Sequence, residues 1–201
     1  MATWDSSPET VAIRERIQRE GCVLSAEFLR VDGFLNHRVD PAFVELAGVA
    51  LAAAFRDATP SCVFTAEAAG NVIAYETARR LGASALYAKK GAPATMQRAL
   101  TCPVISPTKG TEHLLCVSAD YLRPGERVLV VDDFLHRGTT SAALATMVRD
   151  AAAELVGFGF VIEKRASGGR EVLRQFGVPI VSLAVVDTMD PRTGRITFAR
   201  G

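Results

Sequence analysis

Short apolar runs alternating with amphipathic helical patterns predict an α/β fold, a central mainly parallel sheet flanked by helices on both faces. Three observations carry this. The segments Cys62 to Thr65, Val128 to Val131, Phe158 to Ile162 and Ile180 to Val186 are nearly continuous in apolar residues rather than alternating, as in strands buried on both faces. Helix-period segments separate them, most opened by a capping residue or closed by a glycine. Of 201 residues, 49% are hydrophobic and 22% charged, which suits a packed core and excludes a disordered or fibrous chain; the length suits one domain over 1–201.

The elements follow in order. Ser7-Pro8-Glu9 opens a helix with a capping hydroxyl, proline at the first helical position and an acid against the helix dipole, and Gly21 ends it. Asp40-Pro41 opens a second, whose Phe43, Leu46, Ala47, Ala50, Leu51 and Ala54 recur at helical spacing before the polar break at Asp57 to Ser61. Cys62 to Thr65 is a strand, Val72 to Leu81 a helix closed by Gly82, and Ala85 to Ala88 a strand. From Lys89-Lys90 to Gly110 the chain holds Pro93, Pro103 and Pro107, and is expected to be one long functional loop rather than a core element. Strands at Leu114 to Val117 and Val128 to Val131, a helix over Thr140 to Ala153, a strand at Phe158 to Ile162, a helix over Gly169 to Phe176 and a strand at Ile180 to Val186 complete the pattern.

Charge and cysteine usage exclude several classes. With 23 basic and 22 acidic residues there is no overall field to draw the chain onto nucleic acid or an anionic membrane, so any anion site is local. Cys22, Cys62, Cys102 and Cys116 lack CxxC spacing and are expected to be free thiols in the cytoplasm. No signal peptide or membrane span is expected. His37, His113 and His136 share no metal-ligand spacing, and neither a GxSxG nor a P-loop consensus is present.

The chemistry concentrates in Val128 to Thr140. Four apolar strand residues end in Asp132 and Asp133, and a parallel strand would deliver both to the ligand-binding edge of the sheet. Carboxylates there accept hydrogen bonds from a vicinal diol or hold a hydrated magnesium ion. The following His136, Arg137, Gly138, Thr139 and Thr140 form an anion cradle. Gly138 permits close approach or positive φ, and the first N–H groups of the next helix and the two hydroxyls face the anion. Acids for a diol followed by donors for a phosphate is the order a ribose 5-phosphate requires. An acidic pair ending an apolar strand also occurs merely as a solvated strand end.

This segment resembles the phosphoribosyl pyrophosphate (PRPP) motif of type I phosphoribosyltransferases. His136 and Arg137 make the loop bulkier and more basic than is usual there. The resemblance runs from about Ile13 to Phe198 and is nearest to bacterial xanthine phosphoribosyltransferases, through Leu29-Arg-Val-Asp-Gly-Phe-Leu-Asn36-His37 and Asp40-Pro41. It implies that Leu29 and Asn36 belong to a purine pocket. Read alone, they suit core and turn positions. Glu67-Ala68-Ala69-Gly70 matches a turn whose backbone N–H groups hold pyrophosphate, with alanines where the family often has serine. Lys89-Lys90 matches a basic pair near the leaving group. Ser106-Pro-Thr108-Lys109-Gly-Thr111-Glu112 matches a mobile flap, with Ile105 where tyrosine is common. Ile162-Glu163-Lys164 places a lysine against the exocyclic oxygen at purine C6, disfavouring adenine. Phe134 is either a purine-stacking ring or a core aromatic.

The resemblance thus implies a hood near 1–40 and 180–201, a flap near 91–112, magnesium bound with PRPP, no metal cluster made by the protein, and a homodimer with the N-terminal helix as an interface element. It implies purine salvage: transfer of the phosphoribosyl group of PRPP to xanthine, with catalysis resting on Asp132 and Asp133. A hypoxanthine-guanine or adenine transferase is the alternative within the class. The alternative outside it is a non-catalytic PRPP-sensing regulator, disfavoured by the short stretch before Gly21 and the absence of basic excess.

Overall fold

In the computed structural model, residues 4–105 and 112–199 are described. The first helix, α1 (Pro8–Glu20), begins as its cap requires, with the Ser7 hydroxyl accepting from Thr10 N at 3.2 Å. A two-residue antiparallel pair follows, β1 (Cys22–Val23) with β2 (Leu29–Arg30), and then a π-helical turn at Asp32–Asn36. Helix α2 (Pro41–Phe55) starts where the Asp40 carboxylate accepts from Ala42 N at 3.0 Å. The remaining chain runs β3 (Cys62–Ala66), α3 (Gly70–Leu81), β4 (Ser84–Lys90), β5 (Ala99–Ile105), β6 (Glu112–Ser118), β7 (Arg127–Leu135), α4 (Thr139–Asp150), β8 (Glu154–Lys164), α5 (Gly169–Arg174), β9 (Ile180–Asp190) and β10 (Arg195–Ala199).

Eight strands form one sheet in the order β10-β9-β8-β7-β3-β4-β6-β5. The middle, β9 to β4, is parallel, and both margins are antiparallel. Strand alternation divides the core in two. Val63, Leu129 and Val131 join α1, α2 and α3 in a cluster with Ile13, Phe34 and Leu51. Phe64, Val128 and Val130 join α4 and α5 in the other, with Leu144, Phe158 and Leu173. Two buried faces explain why these strands read as continuous apolar runs. Gly157 and Gly159 fit the same account: a Cβ on either would press on the Phe55 ring or on Leu51.

The structure corrects several expectations. The expected long loop contains a full strand, β5, paired with β6 from Ala99↔Ser118 to Ile105↔Glu112. Pro103 lies within it, tolerated because β5 is the outermost strand and one missing donor disrupts no central ladder. The family-like flap residues Ser106 to Thr111 lie outside the described residues. Strand β7 does not end at Val131; it continues through both acids, with Asp132 opposite Phe160 and Leu135 opposite Glu163. Helix α4 stops at Asp150, before a left-handed turn at Ala152 (φ 56°). The hairpin strand β10 gave no clear sequence signal. No helix among the described residues is long and apolar enough to cross a membrane.

Candidate active site

The carboxyl ends of β7, β8 and β4 open onto two cavities bridged by a hydrogen bond between Asn36 and Asp133, and onto a third that shares His136 with the first. The first, about 440 Å³, is walled by Phe28, Leu29, Phe134, Ile162, Val186 and Met189, with Glu27, Asn36, His136 and Lys164 supplying polarity. An apolar slot with a few polar groups suits a flat heterocycle. All four residues assigned to the base, Leu29, Asn36, Phe134 and Lys164, line it. Leu29 is brought there by β2 and Asn36 by the end of the π turn. Phe134 combines its two expected roles, since one side faces the cavity and another packs on the core. Lys164 donates to the Glu27 carbonyl and its ammonium lies 5.9 Å from the Phe28 ring centroid. Burial lowers its pKa from the ordinary lysine value, and the Glu27 carboxylate opposes the shift.

Asn36 Nδ2 donates to Asp133 Oδ2 at 3.0 Å, a direct link from this cavity to the acidic pair. The Asp132 carboxylate accepts from Asp133 N at 2.9 Å, and the Asp133 carboxylate from Phe134 N at 3.0 Å. Burial first, and the Asp133 charge second, push Asp132 well above the usual carboxylate range. Its carboxyl oxygen would lie 2.8 Å from a Cβ on Gly70, so a side chain at 70 and an acid at 132 cannot share this space. That contact brings the start of α3 against the acids.

The second cavity, about 240 Å³, lies between those acids and the turn before α3. Asp132, Asp133, Glu67, Ala68, Ala69, Lys90 and Thr140 line it, with His113 and Val104 contributed by the β5–β6 hairpin. Glu67 Oε1 accepts from Lys90 N at 2.7 Å and fixes the turn to the end of β4; the Glu67–Ala68 peptide is cis. The two lysines are separated by strand alternation. Lys90 lines this cavity, whereas Lys89 lies 5.9 Å from the Tyr87 ring in a different depression beside Met96 and Tyr121.

The third cavity, about 490 Å³, is lined by His136, Arg137, Lys164, Ser167, Glu27 and Phe28. Gly138 takes the left-handed conformation (φ 74°) immediately before α4, where Thr139 is exposed and Thr140 reaches the acidic cavity. A Cβ on Gly138 would stand 2.8 Å from the Gly169 carbonyl oxygen, so α5 packs directly on this loop. Burial, then the charges of Lys164 and Arg137, lower the His136 pKa below its usual value, so the ring is neutral near pH 7.

Phe28, Glu27, Val186, Met189 and His113 are cavity residues the sequence did not single out. Phe28 stands exposed beside a Ser25 turn, and no periodicity marks such a position. Val186 reads as the end of an ordinary strand, and Met189 lies beyond the expected strand, which in the structure runs on to Asp190. Among the described residues no cluster of three or more His, Cys, Asp or Glu side chains could hold a metal.

No family model matches the chain. It is 40% identical to the xanthine phosphoribosyltransferase of Pseudomonas entomophila over 93% of this chain and 98% of that one. To the Brevibacillus brevis protein of the same name it is 43% identical, over 89% and 92%. Among solved structures, adenine phosphoribosyltransferase from Thermoanaerobacter pseudethanolicus superposes with a TM-score of 0.64 at 26% identity, covering 73% of this chain and 82% of that one. The Trypanosoma brucei adenine enzyme, 16% identical, superposes with a TM-score of 0.74 over 90% and 80%, which speaks for the fold alone. On sequence kinship and fold together, the chain belongs to the xanthine phosphoribosyltransferase family and carries the type I phosphoribosyltransferase fold.

Proposed function

We propose that this protein transfers the 5-phosphoribosyl group of PRPP to xanthine, giving xanthosine 5′-monophosphate and pyrophosphate in purine salvage. The observation that carries the reading is the apolar cavity with Asn36 and Lys164 among its polar groups, linked by the Asn36–Asp133 hydrogen bond to the acidic cavity beside it. The ammonium of Lys164 donates to an oxo group at purine C6; the amino group of adenine offers it no acceptor. Leu29 and Phe134 enclose the ring faces.

Asp133, and Asp132 beside it, accept from the ribose hydroxyls. The loop His136 to Thr140, with the N–H groups opening α4, takes the 5-phosphate. The backbone of Ala68, Ala69 and Gly70 and the ammonium of Lys90 take the pyrophosphate; Lys89, on the other face of β4, reaches it only after rearrangement. The C1–O bond to pyrophosphate breaks with its electron pair leaving on oxygen, while a purine ring nitrogen closes on C1 from the opposite side and gives up its proton to water or to the departing pyrophosphate. Rate enhancement then comes from positioning and charge stabilisation rather than from a covalent enzyme intermediate. Asp132 and Asp133 would hold a magnesium ion brought in with PRPP, and the ion would supply neutralisation of charge on the departing pyrophosphate.

The chain acts as one domain, with hood elements near 1–40 and 180–201 closing over the base. The free thiols at Cys22, Cys62, Cys102 and Cys116 support a cytoplasmic location. The homodimer that the family resemblance implies is tested by light scattering on the purified protein. The function itself is tested by incubating the protein with magnesium, PRPP and xanthine, guanine, hypoxanthine or adenine separately. Fastest conversion of xanthine is expected; conversion of adenine alone would overturn the base pocket, and PRPP binding without any turnover would indicate a sensor.

A further inference from the structure

We infer that the Glu163–Arg170 ion pair, its carboxylate buried and its guanidinium partly so, is a positioning device that holds the base-reading lysine and the 5-phosphate loop in one fixed spatial relation. The inference rests on the functional reading above.

Glu163 is 2% exposed, and Arg170 meets it with a full fork: Nε at 2.9 and 3.1 Å from the two carboxylate oxygens and Nη2 at 2.5 Å from Oε2. The remaining donors reach β9, with Nη1 at 3.0 Å from the Ile180 carbonyl and Nη2 at 3.3 Å from Ser182 Oγ. One guanidinium thus ties β8, β9 and the first turn of α5 together. A buried ion pair is a weak source of net stability, since well-packed apolar residues of the same volume commonly do as well or better. Its planar, directional fork does fix geometry.

Both partners adjoin residues of the site. Ile162 and Lys164 line the base cavity, so alternation along β8 turns Glu163 to the other face; anchoring the carboxylate anchors the backbone that projects Lys164. Arg170 follows Gly169, whose backbone meets the phosphate loop without slack. A Cβ on Gly169 would lie 3.0 Å from Gly138 N, 2.8 Å from Leu135 Cδ1 and against the His136 carbonyl. Between the partners the chain is a short 3-10 turn, Arg165–Ser167, and a left-handed Gly168 (φ 73°). Release of the fork therefore frees the start of α5 to move away from Gly138, and moves Lys164 at the same time.

The test uses Glu163→Gln, Arg170→Lys and the double change Glu163→Met with Arg170→Met, each assayed where circular dichroism shows it fully folded. The readouts are PRPP affinity by calorimetry with magnesium, KM for PRPP and for xanthine, and kcat. Loosened geometry is expected to weaken PRPP binding and raise both KM values roughly ten- to hundred-fold, the scale of an ångström-level misplacement. The double apolar variant distinguishes the roles. It recovers thermal stability relative to Glu163→Gln and still binds PRPP weakly. Folded Arg170→Lys and double-variant proteins with wild-type PRPP affinity and wild-type KM values would overturn the inference, leaving the pair a purely structural contact. Wild-type protein that does not bind PRPP sinks the functional reading and this inference with it.

Discussion

Replacing Gly138 by alanine separates backbone strain from a specific contact in the phosphate loop. Gly138 has φ 74°, and an added Cβ would stand 2.8 Å from the Gly169 carbonyl oxygen, a backbone atom with no rotamer to yield. Gly82 supplies the control: φ is 69° at the end of α3, and an added Cβ meets nothing within 4 Å. The left-handed conformation costs an alanine about 1–2 kcal/mol in both proteins. For a chain of this size each kcal/mol lowers the melting temperature by about 2–4 °C. Gly82→Ala should therefore melt about 2–8 °C lower with unchanged kinetics. Gly138→Ala carries the same strain plus the collision, so it should melt lower still, and because the loop must move, its KM for PRPP should rise. Differential scanning calorimetry and initial-rate kinetics on the two variants read both quantities. A Gly138→Ala protein matching Gly82→Ala in melting temperature and in KM would refute the packing of α5 on the cradle.

Three further outcomes follow from the same structure. Because burial holds the Asp132 pKa above its unfolded value, the stability tied to it is present at acid pH and lost as pH rises through the folded-state value. Asp132→Asn should therefore raise the melting temperature of the ligand-free protein at neutral pH, with the gain disappearing below the ordinary carboxylate range, while turnover collapses; a pH series of melts decides. Lys164→Gln should lower kcat/KM for xanthine by roughly ten- to hundred-fold, the loss of a charged hydrogen bond worth about 1.5–3 kcal/mol, and an undiminished value would remove Lys164 from base recognition. Burial pushes the Cys62 thiol up to about 11 and raises that of Cys116, so both should resist iodoacetamide in the native protein and react after unfolding, as peptide mapping would show.

What the sequence revealed depended on whether the governing signal was local. The β7 run, the capped starts of α1 and α2 and the glycine ending α3 were all legible, because each rests on residues within one or two turns. The margins were not. Strand β5 was hidden by Pro103, and its acceptability depends on a position at the edge of the sheet that only the assembled topology defines. The base cavity was legible at Leu29, Asn36, Phe134 and Lys164 through family resemblance, while Phe28, Val186 and Met189 become cavity walls only when β2 and β9 meet in space. Adjacent lysines looked equivalent at 89 and 90 until the pleat put them on opposite faces.

The ends of the sheet carry a consequence for solubility. An open sheet presents two rows of unsatisfied backbone groups that invite another chain to add a strand. Here the outermost strand on one side is interrupted by Pro103, which deletes a donor, and the outermost strand on the other is short and shifts register between Thr197 and Phe198. A polypeptide docking along either border finds a broken template, so the described sheet ends at eight strands without inviting a ninth.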